Sequence, residues 1–124
     1  MITLKGKVAI VTGGTRDIGR SCSIRLAEAG AKVVVNYHSS KSAGDETVAA
    51  IENAGGTALL VQGDMTRKVD VDNLIAQARN AFGGAIHVLV NNVGGLVARK
   101  KLAEMDEEFF NKVMSLNMIS TFLA

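Results

Sequence analysis

The sequence predicts an α/β fold, a parallel sheet covered by helices on both faces. Three observations lead there. Four short β-like runs, Val8–Val11 and residues 32–36, 58–61 and 86–90, are each followed by a helical pattern. The first run stops in Thr12, Gly13 and Gly14 and feeds straight into a helix. The chain has 124 residues, enough for one domain and not two. Strict alternation of strands and helices gives a parallel sheet buried on both sides. Crossovers are right-handed, and the doubly wound order then puts the strands three, two, one, four. The switch point falls between strands one and four, and ligands bind at the carboxyl ends of strands at such a point.

Each element has its own justification. Val8–Val11 is an unbroken apolar run, fit for a strand buried on both faces. The helix after it is expected from about Ile18 to Glu28, with Ile18, Cys22, Leu26 and Ala29 on one face and Gly30 as its stop. Residues 32–36 form the second strand around Val33, Val34 and Val35, and a helix over 43–53 runs up to Gly55 and Gly56. Residues 58–61 form the third strand, ending at Gly63 and Asp64. The next helix is clearly periodic, with Val71, Leu74, Ile75, Ala78 and Phe82 on one face and Gly83 and Gly84 at its end. Residues 86–90 form the fourth strand, ending at Asn91 and Asn92. After a loop, Asp106 is placed to cap a last helix, with Glu107 and Glu108 in its first turn. That helix carries Phe109, Val113 and Leu116 and is expected to reach the C-terminus.

Composition narrows the function classes. The content is 48% hydrophobic and 21% charged, as in ordinary globular proteins. With 14 basic against 12 acidic residues, the charge implies neither a nucleic-acid nor a membrane partner. Cys22 is the single cysteine, so no internal disulfide can form, and a reducing cytoplasmic location is expected. Its place on the apolar helix face predicts a packed thiol. The opening residues 1–7 have no apolar core of a signal peptide, and no apolar run approaches the roughly 18 residues of a membrane helix. His38 and His87 belong to no cluster with metal-ligand spacing, so no metal is expected. His87, inside the fourth strand, reads as a hydrogen-bonded core or interface residue.

The glycine turn carries the strongest functional signal. A strand that stops in glycines and opens a helix presents free N–H groups and a positive dipole end to an anion. Gly19, inside the first helical turn, is a poor helix former and fits a close approach instead. No Gly-Lys-Ser/Thr follows, which excludes a P-loop. Enzymes that bind NAD or S-adenosylmethionine place an acid at the end of strand two to hold the ribose diol. Here Asn36 stands there, followed by Tyr37, His38, Ser39 and Ser40. Nothing among them repels a 2′-phosphate, and Arg16 in the turn can reach one with a forked guanidinium. The combination favours NADP(H) over NAD(H) and disfavours a methyltransferase.

With these residues in view, the chain resembles the short-chain dehydrogenase/reductase family. The family's TGxxxGxG motif matches residues 12–19, with Asp17 in place of the middle glycine. Its Asp after strand three, which the resemblance sets against the adenine ring, matches Asp64, beside Met65. Its NNAG matches Asn91, Asn92, Val93 and Gly94, with Val93 for alanine. Leu4-Lys5-Gly6-Lys7 has the family's look, and Asn117 occupies the place of the Asn of its catalytic tetrad. The likeness covers essentially the whole chain. It implies a Rossmann-type, three-layer αβα sheet, with residues 1–124 as an NAD(P)-binding domain that stops after about four strands. Together with the residue reading it assigns cofactor contacts to Gly13, Thr15, Arg16, Asp17, Ile18, Gly19, Asn36, Ser39, Asp64, Met65, Asn91, Val93 and Gly94. It gives Asn117 a catalytic role, ordering a water for proton relay.

The implied activity is NADPH-dependent reduction of a ketone or 3-oxoacyl-type carbonyl, closest to the 3-oxoacyl-(acyl-carrier-protein) reductase-like branch. The implied partners are a small carbonyl or alcohol substrate and further copies of the chain, as dimer or tetramer. The family's Ser, Tyr and Lys follow the Asn-bearing helix, so the sequence is expected to be the amino-terminal part of a longer enzyme. Tyr37 and Lys41 spell the family's YxxxK spacing, but at the ribose end, and are read as coincidence. The alternative is a non-catalytic NADP(H)-binding module. Asp17 brings a carboxylate to the phosphate turn, where it can cap the helix or pair with Arg16 or Arg20. Val93 adds bulk on the nicotinamide side. Arg99, Lys100 and Lys101 form a basic loop, solvated or near substrate.

Overall fold

The structure is a computed structural model and describes residues 3–124; Met1 and Ile2, in the opening segment, lie outside the described residues. Four parallel strands, β1 (Val8–Val11), β2 (Lys32–Tyr37), β3 (Thr57–Gln62) and β4 (Val88–Val90), lie in the order β3-β2-β1-β4. Between them run α1 (Asp17–Glu28), α2 (Lys41–Asn53) and α3 (Lys68–Phe82). The strand order is the one the alternation predicts, with the switch point between β1 and β4.

Side chains alternate across a strand, so each strand feeds two layers. On one face Ile10, Val34 and Val61 pack with Met65 and with Val71, Leu74 and Ala78 of α3. On the other, Ala9, Val11, Val33 and Val35 pack with Ala31 and with Ile51 of α2, while Cys22 and Leu26 of α1 lie against them. This is why the strands read as unbroken apolar runs. Each fully buried valine or isoleucine contributes about 1.5–3 kcal/mol of burial. Cys22 is a half-buried free thiol packed on that second layer.

Several expected boundaries shift, each for a visible reason. Periodicity puts Ile18 with Cys22 and Leu26, yet Ile18 is 74% exposed. The first turn of α1 stands over the strand ends and turns that side chain away from the sheet. β2 runs one residue past Asn36 to Tyr37, paired with Gln62. β4 is shorter than residues 86–90. The ring Nδ1 of His87 accepts the Val8 N–H at 2.9 Å, and the His87 N–H donates to the Val8 carbonyl at 2.9 Å. A side-chain acceptor thus replaces a ladder carbonyl, and the strand begins only at Val88. His87 is hydrogen-bonded but exposed, not a core residue.

After β4, residues 91–101 are irregular, and a 3₁₀ turn (Leu102–Glu104) leads to α4 (Glu107–Met114). Asp106 caps α4 through its carboxylate, which accepts the Phe109 N–H at 2.8 Å. The last helix is not continuous. A π-helical segment, Ser115–Ile119, separates α4 from α5 (Ser120–Leu123). Among the described residues no helix is long and apolar enough to cross a membrane.

Candidate functional site

The carboxyl ends of the strands meet around one cleft of about 330 Å³, within the range of ligand pockets. Its walls come from the glycine turn, the end of β2, the loops after β3 and β4, and Leu116.

The turn is held by side chains reaching in from three elements. Gly13 takes a left-handed φ of 59°. Its N–H donates to Asn36 Oδ1 at 3.1 Å, and its carbonyl accepts from Asn92 Nδ2 at 2.9 Å. Ser23 of α1 donates to the Gly14 carbonyl at 3.0 Å, and Thr47 of α2 donates to the Thr15 carbonyl at 3.0 Å. Buried Thr12 links the turn to β4, donating to the Val90 carbonyl at 3.3 Å and accepting the Asn92 N–H at 3.1 Å. Gly19 packs so tightly under the turn that a Cβ would collide with the Gly13 carbonyl and the Asn92 amide. The turn's carbonyls are therefore tied inward. No side chain caps α1, so its first-turn N–H groups remain available to an anion.

The expected cofactor residues gather in the cleft wall, apart from Gly19 and Asn91. Gly19 is buried beneath the turn, and Asn91 is exposed outside the lining. Its neighbour Asn92 lines the cleft. Thr15, Arg16, Ile18, Ser39, Met65, Val93 and Gly94 all face it. Asn36 lines it as well, but its amide is turned inward. Asn36 is 1% exposed, and its Nδ2 donates to the Gly63 carbonyl at 3.1 Å and the Val61 carbonyl at 3.3 Å. It ties the glycine turn to the loop after β3.

Asp17 neither caps α1 nor pairs with an arginine. The N-cap position is Arg16, in extended backbone, and Arg20 reaches Glu46 at 3.5 Å instead. Asp17 is the first residue of α1, takes a left-handed φ of 47° and lines the cleft.

Asp64 sits opposite. Burial pushes its carboxyl up, but the backbone N–H and hydroxyl of Thr66, at 2.9 and 2.6 Å, outweigh burial together with the nearby His38 and Arg67. The net effect holds Asp64 below its ordinary value. His38 Nε2 is 3.9 Å from Asp64 Oδ2.

Asn117 lies outside the lining. Its Oδ1 accepts the Gly95 N–H at 2.8 Å, and its Nδ2 donates to the carbonyls of Gly95 and Val113, both at 3.0 Å. It holds the loop that carries Gly94. Lys41 of the Tyr37–Lys41 pair binds Asp45 at 2.9 Å, and that hydrogen bond and charge raise its pKa. Lys100 of the basic loop stacks its ammonium 4.7 Å from the Phe109 ring. No group of His, Cys, Asp and Glu among the described residues can hold a metal ion.

Sequence reasoning left Ser23, Thr47 and Asn92 without a role. Ser23 and Thr47 are polar residues in otherwise apolar helix stripes, which was a readable sign of a buried partner. Tyr37, His38, Ser40, Gly63 and Leu116 also line the cleft, each next to an expected residue.

Residues 7–124 match the family model described as short chain dehydrogenase. The chain is 41% identical to an uncharacterized oxidoreductase of Methylorubrum extorquens over 124 residues, all of this chain and 49% of that protein. It is 41% identical to the 3-oxoacyl-[acyl-carrier-protein] reductase of a Synechocystis strain over 123 residues, 99% of this chain and 49% of that one. The crystal structure of a dehydrogenase/reductase from Sinorhizobium meliloti superposes with a TM-score of 0.94 at 35% identity, over 99% of this chain and 48% of that one. The chain spans about half the length of these relatives. A turn tied inward at its carbonyls, an uncapped helix start and four strand ends around one cleft agree with those matches, and the chain belongs to the short-chain dehydrogenase family of oxidoreductases.

Proposed function

We propose that the cleft holds NADP(H) in preference to NAD(H), as the cofactor half of a carbonyl reductase. The observation that supports a dinucleotide most is the glycine turn itself, with its carbonyls tied inward and the first N–H groups of α1 open to a diphosphate. Arg16 lies in the same wall, and residues 37–40 at the end of β2 include no acid. That arrangement suits a 2′-phosphate. Asp64, an ionised acceptor, suits the amino group of an adenine ring. Val93 and Gly94 border the other end, with Asn117 as the residue that positions their loop.

When bound, the cofactor supplies hydride to a carbonyl carbon. The chain binds and orients it, with Val93 at the nicotinamide side. The substrate we favour is a ketone or a 3-oxoacyl thioester, as in the name of the Synechocystis relative. We propose a cytoplasmic homo-oligomer with no nucleic-acid or membrane partner.

Arg16→Ala tests the cofactor reading. NADPH binding, followed by its fluorescence, should weaken roughly ten- to hundredfold, the loss of one charge-assisted contact. NADH binding should hardly change. Equal losses for both would refute the 2′-phosphate role.

A further inference from the structure

Asp17 is the only non-glycine residue with a positive φ among the described residues. An L side chain in that region is strained, and glycine is free of the strain. Packing gives no reason for a side chain here. Asp17 is exposed, and none of the hydrogen bonds or ion pairs among the described residues uses its carboxylate. It stands instead in the cleft wall beside Thr15 and Arg16, at the mouth of the uncapped α1.

We infer that Asp17 is a brake on cofactor affinity, a carboxylate that competes with the incoming diphosphate for the start of α1 and so loosens NADPH and NADH alike. This rests on the reading of the cleft as a dinucleotide site. The helix start carries roughly half a positive charge, and a carboxylate in the first turn offsets it in the free protein. The same carboxylate repels a diphosphate that must come to the same N–H groups. Arg20 is drawn to Glu46 of α2, and no ion pair among the described residues joins Asp17 to its neighbour Arg16. Both dinucleotides carry the same diphosphate, so the weakening is common to both, unlike any effect of Arg16. A faster release of either nucleotide follows.

The experiment is titration of the chain and its Asp17→Asn and Asp17→Gly variants with NADPH and with NADH, at low and at high salt. Asp17→Asn removes the charge and keeps a residue that tolerates a left-handed backbone. Asp17→Gly also frees the backbone, and it serves if the first variant folds poorly in a melting curve. Both variants should bind both nucleotides about three- to tenfold more tightly at low salt. The gain should shrink at high salt, where exposed charges are screened. Unchanged or weaker binding by both variants overturns the brake, as does tightening toward NADPH alone. If no form of the chain binds either nucleotide, the dinucleotide reading falls with it.

Discussion

Asn36 does with one amide what a carboxylate cannot do. It accepts the Gly13 N–H and donates to the carbonyls of Gly63 and Val61, all from a buried position. An aspartate has no donor for those carbonyls, and a buried acceptor left unmet costs about 1–3 kcal/mol. The missing acid at this position thus has an architectural cause. The proposed preference for NADP(H) rests more firmly on Arg16 and on the acid-free residues 37–40. Asp64 makes a prediction at the same scale. Its carboxyl is held below its ordinary value of 3.8, so its contribution to stability is complete above that value and lost as pH falls through the lower, folded-state one. Asp64→Asn should be less stable than the parent at neutral pH. The gap should close below pH 3.8 in melting curves. A gap that stays constant with pH would contradict the assignment.

Three elements behave in ways their patterns did not announce. The spacing of Phe109, Val113 and Leu116 predicts one helix, because periodicity over so few turns does not register the extra residue of a π turn. The π segment Ser115–Ile119 carries Asn117, whose amide holds both backbone groups of Gly95. Asn117→Ala should therefore speed amide hydrogen exchange at Gly95 by roughly fivefold, the value of about one hydrogen bond, with the sheet unaffected. Unchanged exchange at Gly95 would show that the loop is held by something else. At the other end of the chain, α1 begins over the cleft and not over the sheet, which is why Ile18 is exposed despite its place in the apolar period. β4 starts late because the His87 ring takes a ladder bond. Strands and helices were legible because burial on both faces writes long apolar runs. Their ends were not, because side chains such as His87 and Asn36 take backbone partners that no periodicity encodes.

At the scale of the whole molecule, two apolar layers clasp one sheet, and the cleft opens where the helices change sides. Strand order followed from alternation, handedness and the doubly wound pattern that alternation suggests. Most cleft residues were legible from the turn's position and from the family motifs, whereas Ser23 and Thr47 were legible only as buried polar residues, not as to which turn carbonyls they hold. The surface of α4 and α5 exposes Phe110 and, at 82%, Phe122. The glycine turn and Arg16 together are proposed to make a site for NADP(H). The most direct measurement is a pair of dissociation constants, for NADPH and NADH, on the unaltered chain. NADPH should bind at least about tenfold more tightly, as a charge-assisted contact to its extra phosphate requires. Equal affinities, or a preference for NADH, would contradict it.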